Sequence, residues 1–418
     1  MLALVVILLL LLGWALIAGR LARYSVTAPL ALLVAGVALT AGQDPVFVFD
    51  IEFDIEFEAA ERIVEVIVAI LLFTDATEVP GGVLGREPRL TLRLLLIALP
   101  LSLVAGWLVG VVLFPSLSPW LVAVLATIVM SVDLTPAVSF VRDHRIPERL
   151  RQVLNAESGL NDGIVAPTFL FCLAAATATA AGSEAQADAA VHAVPALGVA
   201  FLVGAFVGAV AARVLNRALR AGWTQASALR LGVLTLPLLA YAGAVVLGGN
   251  GFIAAFVAGV FFEPEARRLP ADALHLVEDV GALLSLALWF LFGAVLNDVV
   301  ERGSITWQIV LYAVLALTVA RVLPVTVSLI GTDLVRRDRL FLGWARPRGI
   351  GSVVFGLLAY IELAGPDAEV VLAVMVVTVA ASIVVHSLSA GLVTRRYGRP
   401  ARRASPGSGP GHSGATRG

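Results

Sequence analysis

The chain has 418 residues, of which 59% are hydrophobic and only 14% are charged, and its mean hydropathy is +0.95. Soluble globular domains carry about 25% charged residues, so this composition excludes an ordinary soluble protein and indicates a membrane protein. The net charge of −1 says little about partners, because the 29 basic residues are all arginine and their placement matters more than their total. Cys172 is the only cysteine, which excludes an intramolecular disulfide.

Thirteen apolar runs follow one another, and most are long enough to cross a hydrocarbon core of roughly 30 Å as a helix. Alternating ten-residue strand patterns are absent, so we expect an all-α membrane protein with about 13 transmembrane helices and not a barrel. The first run is interpreted as a membrane helix, because it lacks the basic start of a signal peptide. The runs lie at about 2–19, 25–42, 62–79, 90–114, 118–141, 150–180, 195–215, 226–248, 250–264, 274–297, 305–330, 338–363 and 368–393.

Arginines concentrate in every second connection between these runs and in the C-terminal tail. The positive-inside rule therefore predicts a multi-pass protein of the plasma membrane with its N-terminus outside and its C-terminus in the cytoplasm. The acidic stretch 44–61 is then a solvated outer loop, or alternatively a surface that attracts cations. We expect one membrane domain over residues 1–398 and a disordered cytoplasmic tail over 399–418, which is rich in Gly, Pro and Ser.

Four ionisable residues are predicted to lie deep in the membrane: Asp133, Glu157, Asp162 and Arg321. Asp162, for example, lies eleven residues beyond Arg151, or about 16 Å along a helix. Such residues usually line substrate or proton pathways, and the alternative is a buried structural ion pair. Three acids would face a single deep base. If Arg321 neutralises Glu157, a proton or a bound cation must compensate the other two carboxylates.

Spacing along the sixth run sorts these side chains into faces. Ser158 and Asp162 are four residues apart and share one helix face, and Glu157 and Asn161 share the neighbouring face. Ser158 and Asp162 therefore point toward a common ligand, while Glu157 turns toward another helix.

Two of the runs contain helix breakers. In the fifth run, MSVDLTPAVSF, Pro136 has no N–H group, so the carbonyl of Val132 loses its helical partner beside Asp133. In the twelfth run, GWARPRGIGSVVF contains Pro347, Gly349 and Gly351. A simple kink is the alternative explanation for either proline. Broken helices at matching positions of antiparallel halves indicate an inverted repeat with a binding site near the membrane midplane.

With these motifs the chain resembles the sodium/proton (monovalent cation/proton) antiporter superfamily, in its electroneutral branch. AESGLNDG at 156–163 and PRGIGSVVF, with Arg348, are the specific matches. ARVLPV at 320–325, GGNGFIAAFVAG at 248–259 and FTDA at 73–76 also resemble the family. MSVDLTPAV departs from the family's TDP motif: Val132 replaces the threonine and the proline is displaced to Pro136.

The resemblance implies a homodimer whose thirteen helices form a dimerisation domain and a core with two crossed, broken helices, the fifth and the twelfth. It implies that Asp162 carries either H⁺ or the cation, with Asp133, Ser158, Val132 and Asn161 around it. In this scheme the carboxylates of Asp162 and Asp133 are the metal ligands that bind the monovalent cation. The resemblance also pairs Glu157 with Arg321, and asparagine at position 161 is typical of electroneutral members.

The sequence thus predicts a secondary antiporter that exchanges Na⁺ or Li⁺ for H⁺ by alternating access. The alternatives are a K⁺/H⁺ antiporter, and a non-transporting sensor or a channel on the same fold. An enzyme is not expected, because no catalytic dyad, HExxH or GxSxG motif occurs. The expected partners are the alkali cation, H⁺ and the lipid bilayer, with no cofactor and no nucleic acid.

Overall fold

A computed structural model describes residues 2–22, 26–41, 57–77, 86–134, 136, 139–181, 183–270, 272–363 and 365–397. The described part is helical, and each of the thirteen predicted apolar runs coincides with a helix or with a pair of shorter helices. The acidic stretch 44–61 lies outside these ranges except for the backbone of its last five residues, and the tail 399–418 lies outside them entirely. The predictions about those two segments stay predictions.

The helices follow the apolar runs because only a helix satisfies every backbone N–H and C=O within one segment of a bilayer. They span Leu2–Ala22, Ala28–Thr40, Phe57–Thr77, Pro88–Leu113, Pro119–Met130, Ser139–Arg142, Glu148–Ala181, Ser183–Arg220, Ala226–Val246, Gly251–Ala266, His275–Glu301, Trp307–Leu317, Val319–Ser328, Arg336–Trp344, Ile350–Glu362 and Pro366–Tyr397. Within the described ranges, seven helices are long and apolar enough to cross a membrane. The number of thirteen crossings stays a prediction.

The fifth and twelfth runs are both interrupted, as predicted. The first broken helix consists of Pro119–Met130 and Ser139–Arg142, and the second consists of Arg336–Trp344 and Ile350–Glu362. The interruption in the first begins at Ser131, one residue earlier than the Val132 carbonyl that Pro136 leaves without a partner. The predicted all-α fold with two broken helices is confirmed.

The helix Glu148–Ala181 packs against both broken helices and is called the site helix below. Phe169 of this helix stacks on Phe355 of the second broken helix, with ring centroids 4.8 Å apart. Phe140 and Phe341 meet edge to face at 5.7 Å and join the two broken helices directly. These buried aromatic contacts hold the two interruptions next to the polar part of the site helix.

Candidate cation and proton site

The interruption of the first broken helix lies against the polar motif of the site helix. The Ser131 hydroxyl donates to Oδ1 of Asp162 at 2.8 Å, and the Val132 N–H donates to Oδ1 of Asn161 at 3.0 Å. The Ser158 hydroxyl donates to the Val132 carbonyl at 3.3 Å. Side chains of the site helix therefore satisfy backbone groups that the interruption releases, which is how irregular backbone is tolerated inside a membrane.

The two interruptions cross at Asp133. The Asp133 N–H donates to the Pro347 carbonyl at 3.1 Å, and Oδ2 of Asp133 accepts from the Ile350 N–H at 3.3 Å. Ile350 is the first residue of the helix Ile350–Glu362, so this carboxylate lies at a helix N-terminus, where free N–H groups favour negative charge. The predicted crossing of the two broken helices is present in the structure.

Glycines of the second broken helix allow this close approach. A Cβ atom added to Gly351 would lie 2.6 Å from Oδ2 of Asp162, and one added to Gly349 would overlap the side chain of Asp133. Real Cβ atoms do not come so close, so only glycine fits here while both carboxylates keep their positions. Asp162 is 4% exposed, and it lies between Ser131 on one side and Gly351 on the other.

Glu157 points away from this crossing and toward two arginines. Its carboxylate pairs with the guanidinium groups of Arg321 and Arg346, and all three side chains are at most 1% exposed. Glu157 and Arg321, which the family resemblance pairs, are therefore in contact in the structure. Arg321 also contacts the hydroxyl of Ser102 at 3.5 Å.

The expected count of deep charges was wrong. Arg346 and Arg348 lie in the unwound segment of the second broken helix and are 1% and 0% exposed, so within the described ranges three arginines are buried and not one. In the sequence, Arg348 is recognised as a motif residue but not as a buried base, and the depth of Arg346 is obscured because it follows the basic connection at 336–339. Whether the charge of Asp162 is compensated therefore has to be judged from the contacts of Asp162 and not from the number of buried acids and bases.

Arg348 lies apart from the Glu157 ion pairs, and its contacts are with neutral groups. Its guanidinium donates to the Ala316 carbonyl at 3.3 Å and contacts Sδ of Met130 at 3.6 Å. Its backbone N–H donates to the hydroxyl of Ser382 at 2.7 Å. Among the described residues no carboxylate pairs with it, and its Nε and Nη1 atoms have no hydrogen-bond partner. Its predicted role as a motif residue stays a prediction.

Other residues enter the site without having been singled out from the sequence. Ser131 directly precedes Val132 and supplies a hydroxyl beside Asp162, and Ser352 donates to the Ser131 carbonyl at 3.5 Å. The sequence does give a signal for Ser131 and Arg346, because both lie inside the interruptions that Pro136 and Pro347 mark. Ser352 lies in the first turn of the helix Ile350–Glu362, beyond the interruption that Pro347 marks, so the sequence gives no such signal for it.

Among the described residues, two carboxylates, three serine hydroxyls and released carbonyl groups surround the crossing. Hard cations prefer such oxygen ligands, and a carboxylate can also hold a proton. Within the described ranges no group of three or more His, Cys, Asp or Glu side chains is close enough to hold a metal ion.

Comparison with known proteins agrees with this geometry. The sequence profile of the family described as sodium/hydrogen exchanger, transmembrane, matches residues 5–396. A Na⁺/H⁺ antiporter of Schizosaccharomyces pombe is 24% identical over 325 residues, which cover 74% of this chain and 68% of that protein. A probable Na⁺/H⁺ antiporter of the same organism is 23% identical, and the match covers 72% of this chain but 41% of that longer protein.

Solved structures show the same fold. The structure of the sodium proton antiporter MjNhaP1 from Methanocaldococcus jannaschii at pH 8 superposes with a TM-score of 0.68 at 19% identity, covering 93% of this chain and 99% of that one. An electron-microscopy structure of the same antiporter gives a TM-score of 0.66 and covers 95% and 97%. Since the family profile spans nearly the whole chain, this protein belongs to the sodium/hydrogen exchanger family, as a multi-pass membrane transporter of cations and protons and not an enzyme.

Proposed function

We propose that this chain is an electroneutral antiporter that exchanges one monovalent cation for one proton at Asp162 by alternating access. The observation that carries the proposal is a buried carboxylate at the crossing of two broken helices. Within the described part of the chain, Asp162 accepts a hydrogen bond from Ser131 and forms no ion pair with a base. A deprotonated carboxylate in this place needs a counter-charge, and either a proton or an alkali cation supplies it.

Because the cation and the proton compete for the Asp162 carboxylate, their two fluxes are coupled without a second binding site. When the cation leaves Asp162 toward one side, a proton takes its place, and the site then returns to the other side without a net charge. Asp133, the Val132 carbonyl, Ser158 and Asn161 complete the proposed site, and the hydroxyl of Ser131 joins them.

Two features support an exchange without net charge movement. Residue 161 is a neutral asparagine next to the exchanging carboxylate, and its Oδ1 is engaged by the Val132 N–H. The chain contains no lysine, so no membrane lysine is available as a second proton carrier.

Ion preference is proposed as Na⁺ and Li⁺ before K⁺. Val132 replaces a threonine of the family motif, yet Ser131 places a hydroxyl beside Asp162 from the adjacent position. A compact set of hydroxyl and carboxylate oxygens favours the smaller cations, which gain more from close oxygen contacts.

The test is proton movement in everted membrane vesicles that contain the overproduced chain. A respiration-driven pH gradient is followed with a fluorescent probe while Na⁺, Li⁺ and K⁺ are added in turn at equal concentration. We expect Na⁺ and Li⁺ to dissipate the gradient, and K⁺ to do so at least about tenfold less effectively. A response to K⁺ alone would establish the K⁺/H⁺ alternative, and no response to any cation would indicate a channel or sensor.

We also propose the cellular setting that the sequence predicts. The chain lies in the plasma membrane with its N-terminus outside and its C-terminus, including the tail 399–418, in the cytoplasm. Residues 1–398 form a core domain and a set of dimerisation helices, and two copies associate through the latter. The arginine distribution supports the orientation, and the resemblance to the family supports the dimer.

A further inference from the structure

The last helix, Pro366–Tyr397, carries a line of buried polar side chains that the proposed exchange site does not use. Thr378, Ser382 and His386 follow one another at intervals of four residues and are at most 1% exposed. Residues at this spacing share one helix face. The hydroxyl of Thr378 has no hydrogen-bond partner among the described residues. Buried polar groups in a membrane helix are unfavourable unless they form hydrogen bonds, so the contacts of Ser382 and His386 indicate why these two are present.

His386 binds one end of the unwound segment 345–349 of the second broken helix. Its Nε2 lies 2.9 Å from the carbonyl oxygen of Trp344, the last residue before this segment. A carbonyl only accepts, so the ring carries a proton on Nε2 and donates it there. The indole ring of Trp344 stacks on the imidazole with centroids 5.3 Å apart, which fixes the ring plane.

Ser382 binds the other end of the same segment. Its hydroxyl oxygen accepts the backbone N–H of Arg348 at 2.7 Å and lies 3.2 Å from Nδ1 of His386. With a neutral ring, the hydroxyl donates to Nδ1. With a protonated ring, Nδ1 donates to the Ser382 carbonyl, 2.8 Å away. The contacts from His386 to Trp344 and from Arg348 to Ser382 persist in both cases.

The segment held in this way carries the residues that meet the exchange site. Arg346 pairs with Glu157, and the Pro347 carbonyl accepts the N–H of Asp133. The helical hydrogen bonds of this segment are confined to its two ends, from the Ala345 N–H to the Phe341 carbonyl and from the Val353 N–H to the Gly349 carbonyl. The position of the three residues between them therefore depends on external contacts. The last helix supplies two of these contacts, and its Ser387 also donates to the Pro136 carbonyl of the first interruption at 3.3 Å.

We propose that His386 and Ser382 are positioning residues for exchange: they clamp both ends of segment 345–349 and thereby keep Arg346 on Glu157 and Pro347 on Asp133. The proposal goes beyond the assignment of Asp162 as the exchanging group and rests on the proposed function only for its transport readout. Without the clamp, the assembled site is populated for a smaller fraction of time. The apparent cation affinity falls in proportion to that fraction. At saturating cation the assembled site is restored, and so is the maximal rate.

The transport test compares the half-saturating Na⁺ concentration and the maximal rate of exchange in proteoliposomes. Loss of a buried hydrogen bond corresponds to about a 3- to 10-fold change in an equilibrium, so His386→Ala should raise the half-saturating concentration by about that factor at a nearly unchanged maximal rate. His386→Gln keeps a donor near the place of Nε2 and should return the value to within about twofold of the parent. His386→Asn places its amide near Nδ1 and removes the side-chain donor to the Trp344 carbonyl, which then keeps only the backbone N–H of Arg346. This variant should therefore not restore the parental value.

A second variant guards against misfolding of His386→Ala. Ser382→Ala removes the acceptor for Arg348 and should produce a shift of similar size. The double variant His386→Ala with Ser382→Ala should raise the half-saturating Na⁺ concentration little further, because both substitutions release the same segment. The matched control is His275→Gln, since His275 is exposed at the start of another helix and should be neutral.

Hydrogen–deuterium exchange in detergent provides a readout that does not require transport. His386→Ala and Ser382→Ala should each speed backbone exchange in a peptide covering 345–352, with little change in peptides from helix Ala226–Val246. If the parent chain shows no cation/proton exchange but this local acceleration appears, the proposed function fails and the clamp stands. The clamp would be overturned if deuterium exchange in peptide 345–352 were the same in the variants as in the parent. It would also be overturned if His386→Ala and His386→Gln raised the half-saturating Na⁺ concentration equally.

Discussion

Asp162 receives a serine hydroxyl on one oxygen and faces a glycine on the other. In the proposed exchange, a proton or a cation balances the charge of this carboxylate. Asp162→Asn preserves the shape and the hydrogen bond from Ser131 but holds neither a titratable proton nor a cation. We expect cation-driven proton flux to fall below about 1% of the parent, while yield and elution volume on size exclusion are unchanged.

The control for this substitution is Asp367→Asn, which removes an exposed carboxylate at the start of the last helix and should leave flux unchanged. Flux in Asp162→Asn comparable to that of the parent would show that another group carries the proton.

Glu157 is shared by two arginines, which changes what its removal does. Glu157→Gln leaves Arg321 and Arg346 buried and facing each other without an acid, whereas Arg321→Gln leaves Glu157 still paired with Arg346. Stranding buried charge commonly costs about 3–5 kcal/mol. We therefore expect Glu157→Gln to lower the melting temperature in detergent more than Arg321→Gln does.

The double variant Glu157→Gln with Arg321→Gln should recover part of the loss, because it leaves Arg346 as the single stranded charge of the three. Thermal unfolding of the four proteins gives the coupling energy of the pair. Strictly additive losses would mean that the two side chains do not interact in the membrane, in disagreement with the structure.

At the scale of helices, the crossing depends on the absence of side chains on the second broken helix. Gly351→Ala would insert a methyl group 2.6 Å from Oδ2 of Asp162. Overpacking a filled site costs about 1–3 kcal/mol, so we expect at least about a fivefold loss of exchange rate. The measurement is initial-rate Na⁺-driven proton flux in proteoliposomes at matched protein density.

The matched control for this helix substitution is Gly391→Ala. A Cβ atom at Gly391 meets no other atom within 4 Å, so this change adds the same methyl group to a helix without a contact. It should leave flux at the parental level. Equal effects of the two substitutions would contradict the close approach of Gly351 to Asp162.

The helices and their interruptions are the part of the structure that the sequence predicts well. Apolar length determines the helices, and Pro136, Pro347 and the neighbouring glycines mark the breaks, because these signals act locally along the chain. The face carrying Ser158 and Asp162 follows from spacing of four residues in the same way.

The contacts between helices could not be predicted from local pattern. Nothing in the spacing shows that Arg346 reaches Glu157 or that Ser382 accepts the Arg348 N–H, because these partners come together only through packing. Ser131 was overlooked for a related reason: a serine in an apolar run commonly bonds to its own helix, and only the early end of Pro119–Met130 releases it toward Asp162.

For the whole molecule, an exchange of one cation for one proton moves no net charge. An imposed membrane potential should therefore leave the steady-state Na⁺ gradient unchanged in proteoliposomes. The measurement sets potentials of either sign with K⁺ and valinomycin while internal Na⁺ is followed. A gradient that varies by about tenfold for each 60 mV would reveal one net charge per cycle.

The orientation in the membrane can be tested because the chain has a single cysteine. Cys172 is buried, and Cys172→Ser provides a background without thiols. In that background, Thr306→Cys, at an exposed connection predicted to face outside, should react with a membrane-impermeant maleimide on intact cells. Gln225→Cys, at an exposed and arginine-flanked connection, should react only after permeabilisation. The reverse pattern would invert the proposed topology.

The hydrogen bonds at Asp133 also constrain the order in which the protein can be built. The two interruptions complete each other through Asp133 and Ile350, which are 217 residues apart. During synthesis, the first interruption enters the membrane long before the second has been translated, and its released backbone groups then lack these partners. The core can close only after the ribosome has passed about residue 350. A nascent chain stopped earlier should remain a substrate for membrane proteases, even when its first eleven apolar runs have formed their helices.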